Sequence, residues 1–209
     1  MSSAPHRLAG AERRRQLIEA AMDLFSRKGF AGTTTREIAL AAGVSEAIIF
    51  RHFRTKGDLY TAIIEHNLRS ASALKTISGI ESCMKSRDDE GLFRLLAKAI
   101  VESHRKDARF ERLMLHASLE GHELAAIYRQ EFGLPIFDSL RAYILRRQRS
   151  GALRRIDPGA LILAICGMAN YYAMNVEPGE INAKDDQMVE AFVAIAMDGA
   201  RVPKRKISK

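Results

Sequence analysis

The chain has no tryptophan, two cysteines and five prolines among 209 residues, and aromatics make up only 7%. Cys83 and Cys166 stand far apart and show no CxxC spacing, which argues against a disulfide framework or a thiolate metal site. Two reduced, incidental thiols are expected. The most apolar run, Ala160 to Ala169, is too short to span a bilayer. The polar N-terminus around Pro5, His6 and Arg7 does not read as a signal peptide, so a cytoplasmic protein without a membrane partner is expected. There is no glycine-rich phosphate loop and no histidine placed with an acid and a nucleophile. Cys166 lies in an apolar stretch that raises a thiol pKa and favours inertness. His116 and His122 are too badly spaced to share one helical face. No enzyme activity, no cofactor and no metal are expected.

Acidic residues are the other shortage. Lys and Arg number 33 against 25 Asp and Glu, giving a net charge of +8 and a pI near 9.7. Residues 1–60 hold ten basic against six acidic residues, and residues 201–209 hold five against none. The remainder, 18 against 19, is nearly neutral by subtraction. A polyanionic partner fits such a balance. What the chain does have is apolar residues, 47% of the total, arranged almost everywhere at helical spacing.

Residues 1–10 read as a disordered N-terminus. A helix from about Ala11 to Lys28 carries Leu17, Ala21, Leu24 and Phe25 inward and stops at Gly29. Arg13, Arg14 and Arg15 open its exposed side, as a solvated face or as phosphate contacts. Phe30 is expected to pack with Ile38, Ile49 and Phe53. A helix from Lys56 continues towards Leu74, and Gly79 to Gly91 reads as a polar loop. Further helices are expected over Leu92–Lys106, Asp107–Glu120, Glu123–Arg149, Asp157–Asn175 and Lys184–Ala200. Gly133 and Pro135 should kink or break the third of these. Asp157-Pro158 is a cap followed by a first-turn proline. The count is about nine helices and no strand, an all-α chain with a basic tail over 201–209.

The stretch TTTREIALAAGVSEAIIFRHFRTK carries the most information. Thr34-Thr35-Arg36-Glu37 is a capping box, Gly43 supplies a left-handed residue at the end of a short helix, and Ser45 is placed to cap a second helix. Helix, glycine turn and capped helix make a helix-turn-helix, whose second helix offers its N-terminal residues to the major groove. An ordinary helical hairpin is the bland alternative; the cluster of basic and hydroxyl residues speaks against it.

These residues closely resemble the DNA-binding signature of TetR/AcrR-type transcriptional regulators over roughly Glu12 to Leu68. The resemblance implies a helix-turn-helix DNA-binding domain over 11–56 and a helical effector-binding and dimerisation domain over 57–200. It also implies a homodimer on a double-stranded operator, released by a small molecule. By position in the motif, Thr35 and Arg36 should meet backbone or bases. Ser45, Glu46, Ala47 and Ile48 should read bases, and Phe50, His52 and Lys56 should grip phosphates, with Arg51 or His52 able to compensate for the hydroxyl that Phe50 lacks. Glu46 replaces a residue that is commonly basic or neutral, and could accept from a cytosine amino group. Ile48 offers apolar contact to a thymine methyl, and Phe50 lacks the hydroxyl of the frequent tyrosine.

One reading helix covers too few base pairs for selectivity, so a two-fold dimer is expected. The 157–175 helix, apolar nearly all round, and the last helix are its candidate interface. Ala164, Gly167 and Ala169 permit close approach there, with Phe192 and Ile195 beside them. Effector-pocket candidates are His66, His104, Met114, His116, Tyr128, Phe137, Met168, Tyr171, Tyr172 and Met174, each read more readily as plain core or surface than as a ligand contact. They suit a moderately hydrophobic molecule. A DNA-architectural protein without sequence preference is the competing function, favoured by the basic tail.

Overall fold

Capping and close approach decide where the helices of this chain begin and end. The computed structural model describes residues 10–177 and 179–200. Within them run α1 (Gly10–Lys28), α2 (Thr35–Ala41), α3 (Glu46–His52), α4 (Lys56–Leu68), α5 (Ala71–Ser86), α6 (Asp89–Asp107), α7 (Arg109–Leu119) and α8 (Glu123–Tyr128). A π-helical turn (Arg129–Gly133) is followed by α9 (Leu134–Arg149), α10 (Pro158–Met174) and α11 (Ala183–Ala200). No strand occurs among the described residues, and the all-α expectation holds. The N-terminal residues 1–9 and the basic tail 201–209 lie outside the described residues.

The capping box is present as read. The Thr34 hydroxyl accepts from the Glu37 amide, and the Glu37 carboxylate accepts from the Thr34 amide. Thr55 and Asp58 open α4 in the same reciprocal way, and Asp157 accepts from the Ala160 amide at the start of α10. Each satisfies an amide that the helix itself leaves orphaned. Ser45 stands at the cap position of α3 without a side-chain capping bond.

Eleven α-helices among the described residues replace the nine expected. The helix from Lys56 stops at Leu68 instead of continuing to Leu74, a new helix starts at Ala71, and the expected 123–149 helix divides. The polar stretch from Gly79 to Gly91, expected as a loop, is helical to Ser86, turns at Arg87 (φ 59°) and restarts at Asp89. Gly79 is no helix breaker here. A Cβ at that position would stand 2.7 Å from Leu95 Cδ2, so the glycine lets α5 lie close against α6. The break expected at Gly133 and Pro135 is the π-helical turn, with Pro135 in the first turn of α9.

Packing divides the chain into two units, one comprising the chain up to Ser70 with Arg109–Tyr128, the other Ala71–Ala108 with the chain from Arg129 on. In the first, Leu17, Phe25, Ile38, Ile49, Leu59, Ile63 and Leu113 are fully enclosed, each stabilising the fold by about 2 kcal/mol. So α4, expected to open the C-terminal domain, packs with α1. The Tyr60 hydroxyl donates to the Leu113 carbonyl at 3.2 Å. Phe30 packs on Phe25, Tyr60 and His122, with ring centroids at 5.7, 5.3 and 4.1 Å.

In the second unit α6 is the central helix, against α5, α10 and α11. Three charged clasps fix its neighbours. Asp89 accepts from the Tyr143 hydroxyl and, in bidentate fashion, from Arg147. Arg94 pairs with Glu190. Arg105 pairs at 2.8 Å with Asp185, which is fully buried and also accepts from the Tyr172 hydroxyl.

Candidate nucleic-acid interface

The short α3 is held by one buried residue on its inner face and by its exit. Ile49 is wholly enclosed and Phe53, just past the helix, nearly so. Gly43 adopts φ 63° in the turn before it, a conformation that costs a side-chain-bearing residue about 1 kcal/mol or more. The Val44 amide donates to the Ala39 carbonyl at 2.9 Å, which closes the α2–α3 corner. Gln16 of α1 donates to the Ala42 carbonyl at 3.1 Å and fixes that corner to the first helix.

With the inner side anchored, the other residues of α3 face outward. Ser45, Ala47, Phe50 and Arg51 are exposed, and Glu46, Ile48 and His52 are half-buried. Phe50 is 49% exposed, a large ring unsupported by the core. Thr35 is half-buried and Arg36 exposed at the start of α2. The structure thus brings all ten sequence-predicted DNA-contact residues into one unit.

Two of them also have internal partners. The Thr35 hydroxyl donates to a Glu46 carboxylate oxygen, so Glu46 tethers the first turn of α2 to the first turn of α3. Lys56 donates from Nζ to the Phe30 and Thr33 carbonyls, both at 2.8 Å, and lies 4.1 Å over the Phe30 ring. Partial burial pulls its pKa below the ordinary lysine value, and the nearby Glu120 works in the opposite direction. Lys56 is therefore a rivet for the α1–α2 turn. Glu37, besides its capping bonds, takes a 2.7 Å ion pair from Lys28. Those hydrogen bonds, the Lys28 one first, lower its pKa to about 2.

Beside the C-terminal end of α3 opens a shallow cleft of about 310 Å³ lined by Arg14, His52, Phe53, Arg54, Asp58 and Thr61 among others. The Arg14 guanidinium lies 5.0 Å over the Phe53 ring. Sequence reading left Arg14 between solvated face and phosphate contact, and missed Arg54. The only signal for Arg54 was its place two residues past the helix.

The effector candidates fall in both units. His66, Met114, His116 and Tyr128 belong to the first unit, with Tyr128 edge-on to Phe110 at 5.8 Å. In the second unit Phe137, Met168 and Tyr172 are half-buried against the core. His104 is buried, its Nδ1 3.0 Å from the Ile100 carbonyl. Tyr171 and Met174 are exposed on the outer face of α10. Among the interface candidates, Ala164, Gly167 and Ile195 are exposed. Ala169 and Phe192 are enclosed by the core of their own unit, which corrects their assignment. The reason is that α10 is not greasy towards solvent on every side: its Ile162, Ile165, Ala169 side is consumed internally. Cys166 is mostly enclosed, and burial pushes its thiol up to about 11.

A capped helix, a left-handed glycine and a second helix projecting from one unit make this, over its described residues, an all-helical helix-turn-helix protein. Comparison with known sequences agrees: residues 17–63 match the profile described as bacterial regulatory proteins, tetR family. The matched segment lies within α1 to α4, the part of the chain that holds the helix-turn-helix. It is 42% identical over 66 residues to the uncharacterized HTH-type transcriptional regulator YvkB of Bacillus subtilis (strain 168), a stretch covering 31% of this chain and 35% of that relative. The match thus spans about a third of that relative's length. Among solved structures, NalD of Pseudomonas aeruginosa, described as the secondary repressor of the MexAB-OprM multidrug efflux pump, is similar with TM-score 0.70 at 18% identity. That likeness covers 94% of this chain and all of NalD. AibR, solved in complex with isovaleryl coenzyme A and operator DNA, is similar with TM-score 0.63 at 20% identity, over 88% of this chain and 97% of AibR. Among the described residues no helix is long and apolar enough to cross a membrane.

Proposed function

We propose that this chain is a sequence-specific operator-binding transcriptional regulator, acting as a homodimeric repressor that a small molecule releases. The observation that carries the reading is the outward face of α3: a helix anchored by Ile49 and Phe53 whose Ser45, Ala47, Phe50 and Arg51 are all exposed. A helix so presented fits the major groove, with base edges read at its N-terminal half and phosphates met at its flanks. Glu46 keeps carboxylate lone pairs beyond the one taken by Thr35, and we assign it acceptance from a cytosine amino group.

A second copy is supplied through α10 and α11. Ala160, Leu163, Ala164, Gly167, Tyr171 and Met174 form an exposed stripe at helical spacing on α10, and Ala191, Ala194 and Ile195 are exposed on α11. Leu163 at 66% and Ile195 at 61% exposure are large apolar side chains that a partner would cover. The effector is assigned as a moderately hydrophobic small molecule, since Phe137, Met168 and Tyr172 offer a ring, a thioether and a phenol at the edge of the second core. AibR, with an acyl coenzyme A and operator DNA bound together, supports the pairing of both roles in this fold.

Footprinting on the DNA upstream of the protein's own gene tests the reading. A short protected near-palindrome is expected. Diffuse protection without a preferred site would favour the architectural alternative instead.

A further inference from the structure

A second basic surface lies in the second unit, far in sequence from the reading helix. Between residues 141 and 156 the chain has six arginines and no Asp or Glu. Arg147 is committed to Asp89. Arg141, Arg146, Arg149, Arg154 and Arg155 are all exposed. The first three share the outer face of the last turns of α9, since their spacing places them within about 140° of arc at 3.6 residues per turn. Tyr143 and Ile144 are buried in the core, and the Arg146 guanidinium lies 5.9 Å from the Tyr143 ring centroid.

The connector after α9 folds back onto the same end. Gly151 adopts φ 76°, and Gln148 donates from Nε2 to the carbonyls of Arg154 and Ile156 at 3.0 and 2.8 Å. The Arg154 amide in turn donates to the Ala200 carbonyl at 2.7 Å. The last residue of α11 therefore meets the arginine-rich connector. Acids near the cluster are few. Asp157 caps α10, Asp89 holds Arg147, and Asp138 and Asp198 are exposed on α9 and α11.

A helix C-terminus favours cations through its dipole, which accounts for Arg146, Arg147 and Arg149. It does not account for Arg154 and Arg155 beyond the helix, nor for Arg141 two turns earlier. We infer that the end of α9 and the connector to α10 form a second phosphate-binding surface, for the backbone of duplex DNA. Arginine forks match phosphate oxygens in bidentate geometry. A membrane surface is disfavoured, because no large apolar residue between 135 and 162 is exposed to insert beside the charges. The inference depends on the proposed function only for the choice of polyanion.

The test compares the full-length protein with R146Q/R149Q/R154Q/R155Q and with the connector-only R154Q/R155Q, each checked for helical content. Fluorescence anisotropy on a random 30-base-pair duplex is read over a range of salt. Random DNA makes the result independent of operator recognition. Loss of about 0.9 in the log–log salt slope per phosphate contact predicts a drop of about 3.6 for the quadruple variant and about 1.8 for the pair. An unchanged slope in both variants overturns the inference. So does loss of binding to phosphatidylglycerol vesicles with an unchanged DNA slope, which would make the surface a membrane contact. A wild type without operator preference, but with the predicted drop on random DNA, would sink the repressor reading and leave this surface standing.

Discussion

Lys56 shows how one side chain's surroundings revise its role. In the motif it occupies a phosphate-gripping position, and an ammonium at the start of α4 suits that. Its Nζ, however, already serves two backbone carbonyls at the α1–α2 turn and lies on the Phe30 ring. A lysine has three donors, so one remains for a phosphate, but the first consequence of removing it is structural. Lys56→Met keeps most of the stem and is expected to lower unfolding stability by about 2 kcal/mol, the scale of a hydrogen bond to a charged group. A thermal melt superimposable on the parent's would mean that water satisfies both carbonyls equally well. Glu46 is the parallel case: its partner Thr35 stands eleven positions earlier, and no local pattern in the sequence announces that bond. Legibility ends where the partner is set by the crossing of two helices.

At the scale of elements, capping signals transferred almost whole. Thr34 with Glu37, Gly43, and Asp157 before Pro158 do what their residue types suggest, because each effect is completed within four residues. Gly79 misled for the opposite reason: its meaning is the approach of Leu95 from another helix. The arginines of α9 were hidden differently, by averaging a local run of charge into a neutral middle. The cap of α2 makes a pH prediction. Glu37 has its pKa lowered to about 2 in the folded chain, by the Lys28 hydrogen bond first and by Thr34 next. Because the folded value lies below the unfolded one near 4.5, its contribution is fully present above pH 4.5 and drains away as pH falls towards 2. Stability of the parent should therefore decline through that window more steeply than stability of Glu37→Gln, which has no carboxylate to protonate. Denaturant titrations at several pH values, giving parallel curves for the two proteins, would remove Glu37 from the account.

The whole molecule must solve a problem that neither reading helix nor charge can solve alone. Seven residues of α3 contact only a few base pairs, and phosphate contacts add affinity without sequence. Selectivity then requires two heads at a fixed separation, and that separation has to come from the proposed pairing of α10 and α11. The exposed stripe supplies the means: small residues at Ala164 and Gly167 permit helix axes to approach closely, and Leu163 and Ile195 supply apolar area on either side. A charge on each of those two large side chains would have to be buried without a partner, at a cost of several kcal/mol. The double variant Leu163→Glu/Ile195→Glu is thus expected to sediment as a monomer at micromolar concentration while keeping its helical content, since both positions face solvent in the single chain. Its affinity for random duplex should change little, because the phosphate contacts of each protomer survive. Its preference for a palindromic operator over random DNA should collapse, because one head no longer positions the other. Retention of both the dimer and the preference would place the subunit contact elsewhere on the surface. Loss of the dimer with the preference intact would mean that a single α3, assisted by its basic flanks, discriminates alone.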